Sequence, residues 1–241
     1  MAAKIALDEP FNLKRVCIFD WDIHHGDGTQ SMFYNDNRLL YVSLHRSDKL
    51  TFYPQKEIQQ SQYIGEGECK GFNINVAWET GLVVDEFDRM SNKVSELGNV
   101  EYRYACDTLL FPIIEEYQPE LIIVSCGFDS AIHDFLGWSN LTPMMYEYMT
   151  RRLGDICPKL LVVQEGGYNI DYLGQHASGV VNGLFSAAET LKPTPADLDG
   201  GLSKSLIEEV DISGVKDWAK GNVETTRAHL AGCWKATPNQ A

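Results

Sequence analysis

The chain has 241 residues, of which 44% are hydrophobic and 22% charged, enough for one globular domain with a substantial core. A formal net charge of −14 argues against a binder of duplex DNA or RNA, whose affinity comes from clustered Lys and Arg. No apolar stretch approaches a bilayer span and the N-terminus lacks a secretion-signal pattern, so the expectations are no membrane partner and a location in nucleus or cytoplasm.

In chain order, short apolar runs predict strands over 15–20, 39–45, 72–76, 121–126 and 160–164. Between them, helices are expected over 29–34, 86–95, 102–117 and 143–153, and a longer one over 170–191. Thr142 before Pro143 is a good helix start, because Pro takes the first helical position without losing a needed donor. The strands are continuous apolar runs rather than alternating ones, which predicts burial on both faces. The fold class expected is therefore α/β, an open parallel sheet with helices on both faces. Residues 192–201, rich in Pro and Gly, read as a loop leaving this core, and 215–234 as a surface helix. The chain thus divides into 1–191 and a C-terminal loop and helix over 192–241. None of the six cysteines forms a C-x-x-C pair, and Cys17 and Cys126 lie inside strands as buried thiols of a reducing compartment.

Chemistry gathers where the strands end. The first strand runs into Asp-Trp-Asp-Ile-His-His-Gly-Asp-Gly (20–28), the fourth into Gly-Phe-Asp (127–129), and the fifth into Glu-Gly-Gly-Tyr (165–168). Neighbouring strand ends of a parallel sheet converge on one edge. One Asp and one His from the first loop, with Asp129, would make three ligands with an open position, the layout of a catalytic zinc. The glycines before Tyr168 allow a sharp turn that brings a phenol to the same place, where it could donate to a developing oxyanion. His133 reads as an ordinary loop histidine, Met144, Met145 and Met149 as helix core, and Glu208, Glu209 and Asp211 as a solvated face.

Taken together with Leu-Tyr-Val-Ser-Leu-His (40–45), Asn-Val-Ala-Trp (75–78) and the Asn that follows Tyr168, these motifs resemble the zinc-dependent histone deacetylases, and Trp21 with Ala77-Trp78 resembles their class II. The resemblance implies an arginase/deacetylase-like fold and hydrolysis of the acetyl amide of acetyl-lysine in histones or other proteins. It implies Asp22, His24 and Asp129 as zinc ligands and Tyr168 as the hydroxyl that steadies the oxyanion. Asp20, the main-chain carbonyls of Asp22, His24 and Leu44, and the Ser43 hydroxyl resemble the family's structural potassium site. Tyr53, Leu136 and Gly167 fall on substrate-binding positions, and Asp27 on one that supports the ligands from behind. Implied partners are an acetylated protein or peptide substrate and corepressor or deacetylase-complex proteins, with no direct nucleic-acid contact.

The family's general base is a tandem His pair upstream of the first metal loop, a segment this chain does not contain. The expectation is an N-terminally truncated catalytic domain, impaired in hydrolysis, with Asp20 and Asp27 deprived of the partners they face in the family. Two other readings stand beside it: an inactive zinc-containing binding or regulatory module, and a ureohydrolase with two manganese ions on the same fold.

Overall fold

The protein is described by a computed structural model over residues 1–82, 95–190 and 211–239. Its five strands, β1 (Val16–Asp20), β2 (Leu39–Arg46), β3 (Asn73–Trp78), β4 (Leu121–Cys126) and β5 (Leu160–Gln164), form one sheet in the order β3-β2-β1-β4-β5. Every pairing is parallel. The chain therefore winds outward from β1 through β2 to β3, then returns to lay β4 on the other flank of β1. Between β1 and β4 the winding direction reverses, and the loops leaving those two strands part to open a crevice.

Alternate residues of β1 serve two cores. Cys17 and Phe19 join the larger one, with α3 (Asn99–Ala105), α4 (Phe111–Tyr117), α5 (Pro143–Ile156) and α7 (Asp217–His229). Val16 and Ile18 face a smaller cluster built with α1 (Ala2–Leu7) and α2 (Asp27–Phe33). Helices thus lie on both faces, as the uninterrupted apolar runs require, and β1, β2 and β3 are buried throughout.

Strand β5 departs from that rule. Leu160 and Val162 pack on the larger core, but Leu161 is 42% and Val163 37% exposed. The expectation of burial on both faces fails here because β5 is an edge strand, and no described element covers its second face. The opposite edge is closed: α7 lies along β3, where the Thr226 hydroxyl donates to the Asn75 carbonyl at 3.1 Å and the Glu79 N–H donates to the Asn222 side chain at 2.9 Å.

One expected helix is broken and one helix was not expected. The long helix expected over 102–117 is broken into α3 and α4 by a wider turn at Cys106–Leu110. Pro112 explains it, since its ring excludes the ordinary helical hydrogen bond just where α4 begins. Helix α1 had no counterpart among the expected elements; its apolar Ala3, Ala6 and Leu7 recur on one face of a short segment without cap residues. The long C-terminal helix of the core, α6 (Ile170–Thr190), matches its expected span. Residues 86–94 of the helix expected over 86–95, the loop over 192–201 and Glu208-Glu209 lie outside the described residues. Of the three methionines expected in the core, Met145 and Met149 are buried while Met144 is exposed, because it faces away from α6 in the first turn of α5. All six cysteines are free thiols, and burial pushes Cys126 up to about 12, leaving it inert. No helix among the described residues is long and apolar enough to cross a membrane.

Candidate active site

Asp22 and His24 leave the end of β1, and Asp129 leaves the adjacent end of β4, so the crevice gathers all three. One ligand atom from each lies within 4.8 Å of the others. His24 Nδ1 is 2.8 Å from Asp129 Oδ2 and 3.1 Å from Asp22 Oδ1. Asp129 is fully buried, and its other oxygen accepts the Ile23 N–H at 3.0 Å, which fixes the carboxylate across the β1 loop. Asp22 Oδ1 also accepts the His24 N–H at 2.7 Å. Behind Asp22 runs the backbone of Gly127, where an added Cβ would come within 2.4 Å of Asp22 Oδ2. Only glycine lets the β4 loop pass so close.

The imidazole is held from the side as well. His24 stacks on Phe52 at 5.1 Å between ring centroids, with 14° between the planes. Phe52 is backed in turn by the Arg46 guanidinium, 4.4 Å from its ring centre. Arg46 is fully buried and is neutralised by Asp48, which accepts its Nε at 2.7 Å. Tyr53 meets the edge of His24 at 5.9 Å and is 69% exposed, so it stands at the mouth of the site.

Electrostatics shows what the cluster lacks. Burial works to keep His24 neutral, but its bonds to Asp129 and Asp22 and their charges outweigh it and raise His24 to about 9. Burial raises Asp22 to about 6, partly offset by His24. Two carboxylates converge on one imidazole, and their pull on positive charge there is what raises His24. A divalent cation suits the same place: two carboxylate oxygens and a nitrogen already gathered on one side, the other side open. The donor set and the cradle formed by Gly127 both fit such an ion.

Tyr168 reaches the site from β5. Gly166 and Gly167 have φ of +96° and +106°, and a Cβ on Gly167 would come within 2.7 Å of Phe128 Cβ. That sharp turn is the one expected before the phenol. Burial, then the charges of Asp129, Asp22 and Asp134, raise the Tyr168 pKa, which keeps its hydroxyl protonated. Leu136 is half-exposed on the loop after β4.

The potassium-type residues are adjacent too. Asp20 and Ser43 are direct neighbours across β1 and β2, and both are buried. Burial pushes Asp20 well above the usual carboxylate range, and the charged groups acting on it, Asp22 and Glu165, are both acidic. Asp20 and Asp27 have partners of their own in this chain: Tyr41 donates to Asp20 at 2.9 Å, and Lys56 pairs with Asp27 at the start of α2. His133 is a loop residue, as expected, stacked on Tyr172 at 4.4 Å.

Several residues of the site escaped the sequence reading. Phe52 was passed over for its neighbour Tyr53, although an aromatic pair before Pro54 offers one inward and one outward ring. Arg46 and Asp48, two apart at a strand end, had the spacing of a local ion pair. Asp134 bonds across two loops, and only the fold brings those loops together.

Comparison with known proteins agrees with this geometry. A family profile described as the histone deacetylase domain matches residues 1–184. Histone deacetylase HDA1 of Candida albicans is 42% identical over 186 residues, covering 76% of this chain and 21% of that protein. Polyamine deacetylase HDAC10 of Danio rerio is 38% identical over 186 residues, covering 77% of this chain and 25% of that one. The structure of the histone deacetylase Clr3 superimposes with a TM-score of 0.76 at 32% identity, covering 96% of this chain and 34% of Clr3. The chain therefore spans a quarter or less of these two curated relatives.

Proposed function

This chain belongs to the histone deacetylase family, and from that premise we propose that it carries the metal and tyrosine half of a class II-type site for acetyl-lysine amides. The observation that carries the reading is the convergence of Asp22, His24 and Asp129 on one open position, with Tyr168 in their field. Asp22, His24 and Asp129 would hold a zinc ion, which would supply Lewis acidity toward an acetamide carbonyl. The Tyr168 hydroxyl donates to the carbonyl oxygen as charge develops on it. Tyr53 and Leu136 flank the entry and shield the lysine methylenes from water, and Gly167 allows the Tyr168 turn. Asp20, Ser43 and the carbonyls of Asp22, His24 and Leu44 would hold a structural potassium ion, in keeping with a buried carboxylate among acidic neighbours.

Proton transfer is the weak point. Among the described residues each remaining histidine is otherwise engaged. His25 is bonded to Gln30, His45 to Ser43 and the Gln59 carbonyl, and His229 to Ser61. His133 lies on Tyr172, and His176 is buried against Phe128 and Tyr146. General-base help contributes roughly 10²–10⁴-fold, and with these histidines engaged elsewhere the described residues support slow hydrolysis. The same observation favours a second reading, a zinc-loaded module that binds acetylated peptides without turnover. Acetylated proteins as substrates, corepressor or deacetylase-complex proteins as partners, a nuclear or cytoplasmic location and the division into 1–191 and 192–241 belong to the proposal. The zebrafish relative's name adds an acetylpolyamine as a substrate to compare.

The test is hydrolysis of an acetyl-lysine peptide by the zinc-loaded chain. Expected are slow, zinc-dependent turnover, its loss in Asp129→Ala, and a fall of about 10²–10³-fold in Tyr168→Phe, the size seen for loss of one oxyanion donor. Added imidazole should raise the wild-type rate by serving as an external base. Turnover indifferent to both zinc and Tyr168 would refute the assignment.

A further inference from the structure

Tyr168 sits on the open side of the fold, 44% exposed, on a loop that follows an uncovered strand. A side chain placed that way takes its position from whatever fixes its backbone. The glycines before it make the turn permissible without making it rigid. The residue that closes this gap is Asp134. Its carboxylate is buried, and its two oxygens face two different loops. Oδ1 accepts the N–H groups of Leu136 at 2.8 Å and Gly137 at 3.1 Å, both on the loop that carries Asp129. Oδ2 accepts the Tyr168 N–H at 2.8 Å. One buried anion thus ties the backbone of the phenol to the backbone of the ligand loop.

The anchor on the ligand side is firm. Gly137 lies directly against the Asp129 carbonyl, where a Cβ would fall within 1.8 Å of that oxygen. The Gly137 carbonyl accepts Arg46 Nη1 at 2.9 Å. Arg46 is paired with Asp48, and Asp48 accepts both the N–H and the hydroxyl of Thr80 at 2.7 Å. The line Thr80–Asp48–Arg46–Gly137–Asp134–Tyr168 therefore joins the loops after β3, β2, β4 and β5. It begins at the closed edge of the sheet and ends at the open one.

We propose that Asp134 is the positioning residue that sets Tyr168 against Asp22, His24 and Asp129. The assignment rests on the deacetylase reading for what Tyr168 does there. Asp134 touches no reacting atom and acts through the Tyr168 backbone. Its effect therefore falls on the oxyanion-donating step rather than on metal uptake.

Asp134→Asn separates the two sides of the clamp. An amide keeps one accepting oxygen, which the two donors of Leu136 and Gly137 claim, and turns its NH2 toward the Tyr168 N–H. Two donors then face each other. Expected in this variant are unchanged zinc content and at least about tenfold faster hydrogen exchange at the Tyr168 amide, the scale of one charge-assisted bond. Affinity of the zinc-loaded chain for acetohydroxamate, whose carbonyl oxygen would accept the Tyr168 hydroxyl, should fall. The loss should not deepen when Tyr168→Phe is added, and in peptide hydrolysis kcat should drop with little change in KM. Asp134→Glu, which keeps two accepting oxygens, should recover part of the loss. In the unaltered protein the Tyr168 amide should exchange at least about tenfold more slowly than Gly166 and Gly167, a comparison that needs no variant to fold. Unchanged Tyr168 exchange in Asp134→Asn, or losses that add in the double variant, would overturn the Asp134 assignment alone. Equal acetohydroxamate affinity in Tyr168→Phe and wild type would overturn the functional reading, and with it Asp134's part in the reaction.

Discussion

The two edges of this sheet are finished in opposite ways. Along β3 every residue is buried, α7 lies against the strand, and Thr226 and Asn222 take up backbone groups at its margin. Along β5 two large aliphatic side chains face outward, and the adjoining α6 exposes Val181 and Phe185. The candidate site spans this difference. Its three candidate ligands, Asp22, His24 and Asp129, hang from β1 and β4, inside the finished part, while Tyr168 hangs from the unfinished edge. Metal binding should therefore be the robust half of the function, and placement of the phenol the fragile half.

The sharpest way to break that comparison is to put the same charge on both edges. Val76→Lys buries an unpaired ammonium in the closed edge and should cost more than about 4 kcal/mol, enough to unfold the chain. Val163→Lys places it on the open face and should shift stability by no more than about 0.5 kcal/mol. Thermal unfolding followed by circular dichroism distinguishes the two, and equal losses would mean that β5 is covered in solution. Next in size is Phe52→Ala, which removes the ring between Arg46 and His24. It should cost about 3–5 kcal/mol and weaken zinc binding, read by denaturant titration with and without zinc. Smaller again is Thr226→Val, which leaves the Asn75 carbonyl without its donor and should cost about 1 kcal/mol.

The pH response sharpens the comparison on the ligand side. In the presence of a chelator, His24 titrates at about 9 when folded against 6.5 ordinarily. The stability it contributes is full below about pH 6.5 and is lost as pH rises through 9. Asp22, raised to about 6, acts in the same sense: its stabilising proton is lost as pH rises through that value. His45 opposes both, because burial holds it neutral and the unfolded chain takes up its proton below about pH 6.5. The metal-free melting temperature should therefore fall between pH 6.5 and 9, and saturating zinc should flatten that fall by replacing the His24 proton. A flat metal-free profile would contradict the protonated triad.

Much of this was legible in the residues themselves. The continuous apolar runs marked all five strands, with β4 and β5 placed to the residue, because parallel strands need no alternation and end where charge begins. The clustering of Asp22, His24 and Asp129 was readable for the same reason: they sit just past strand ends, where a parallel sheet gathers its loops. What resisted was whatever depends on coverage or on contacts across loops. Leu161 and Val163 have the same composition as buried strand residues, and nothing local reports that no helix lies over them. Pro112 signalled a helix start but not the wide turn before it. Asp134 looks like an ordinary loop acid until the fold places the Tyr168 N–H 2.8 Å from it.

The central claim is that the finished half of the fold holds one divalent ion by itself. Titration of the chelator-treated chain with zinc by calorimetry tests it most directly. The account predicts one equivalent bound, with proton release at pH 8 as His24 gives up its proton, and no binding in Asp129→Ala. The same stoichiometry in Asp129→Ala as in wild type would contradict it.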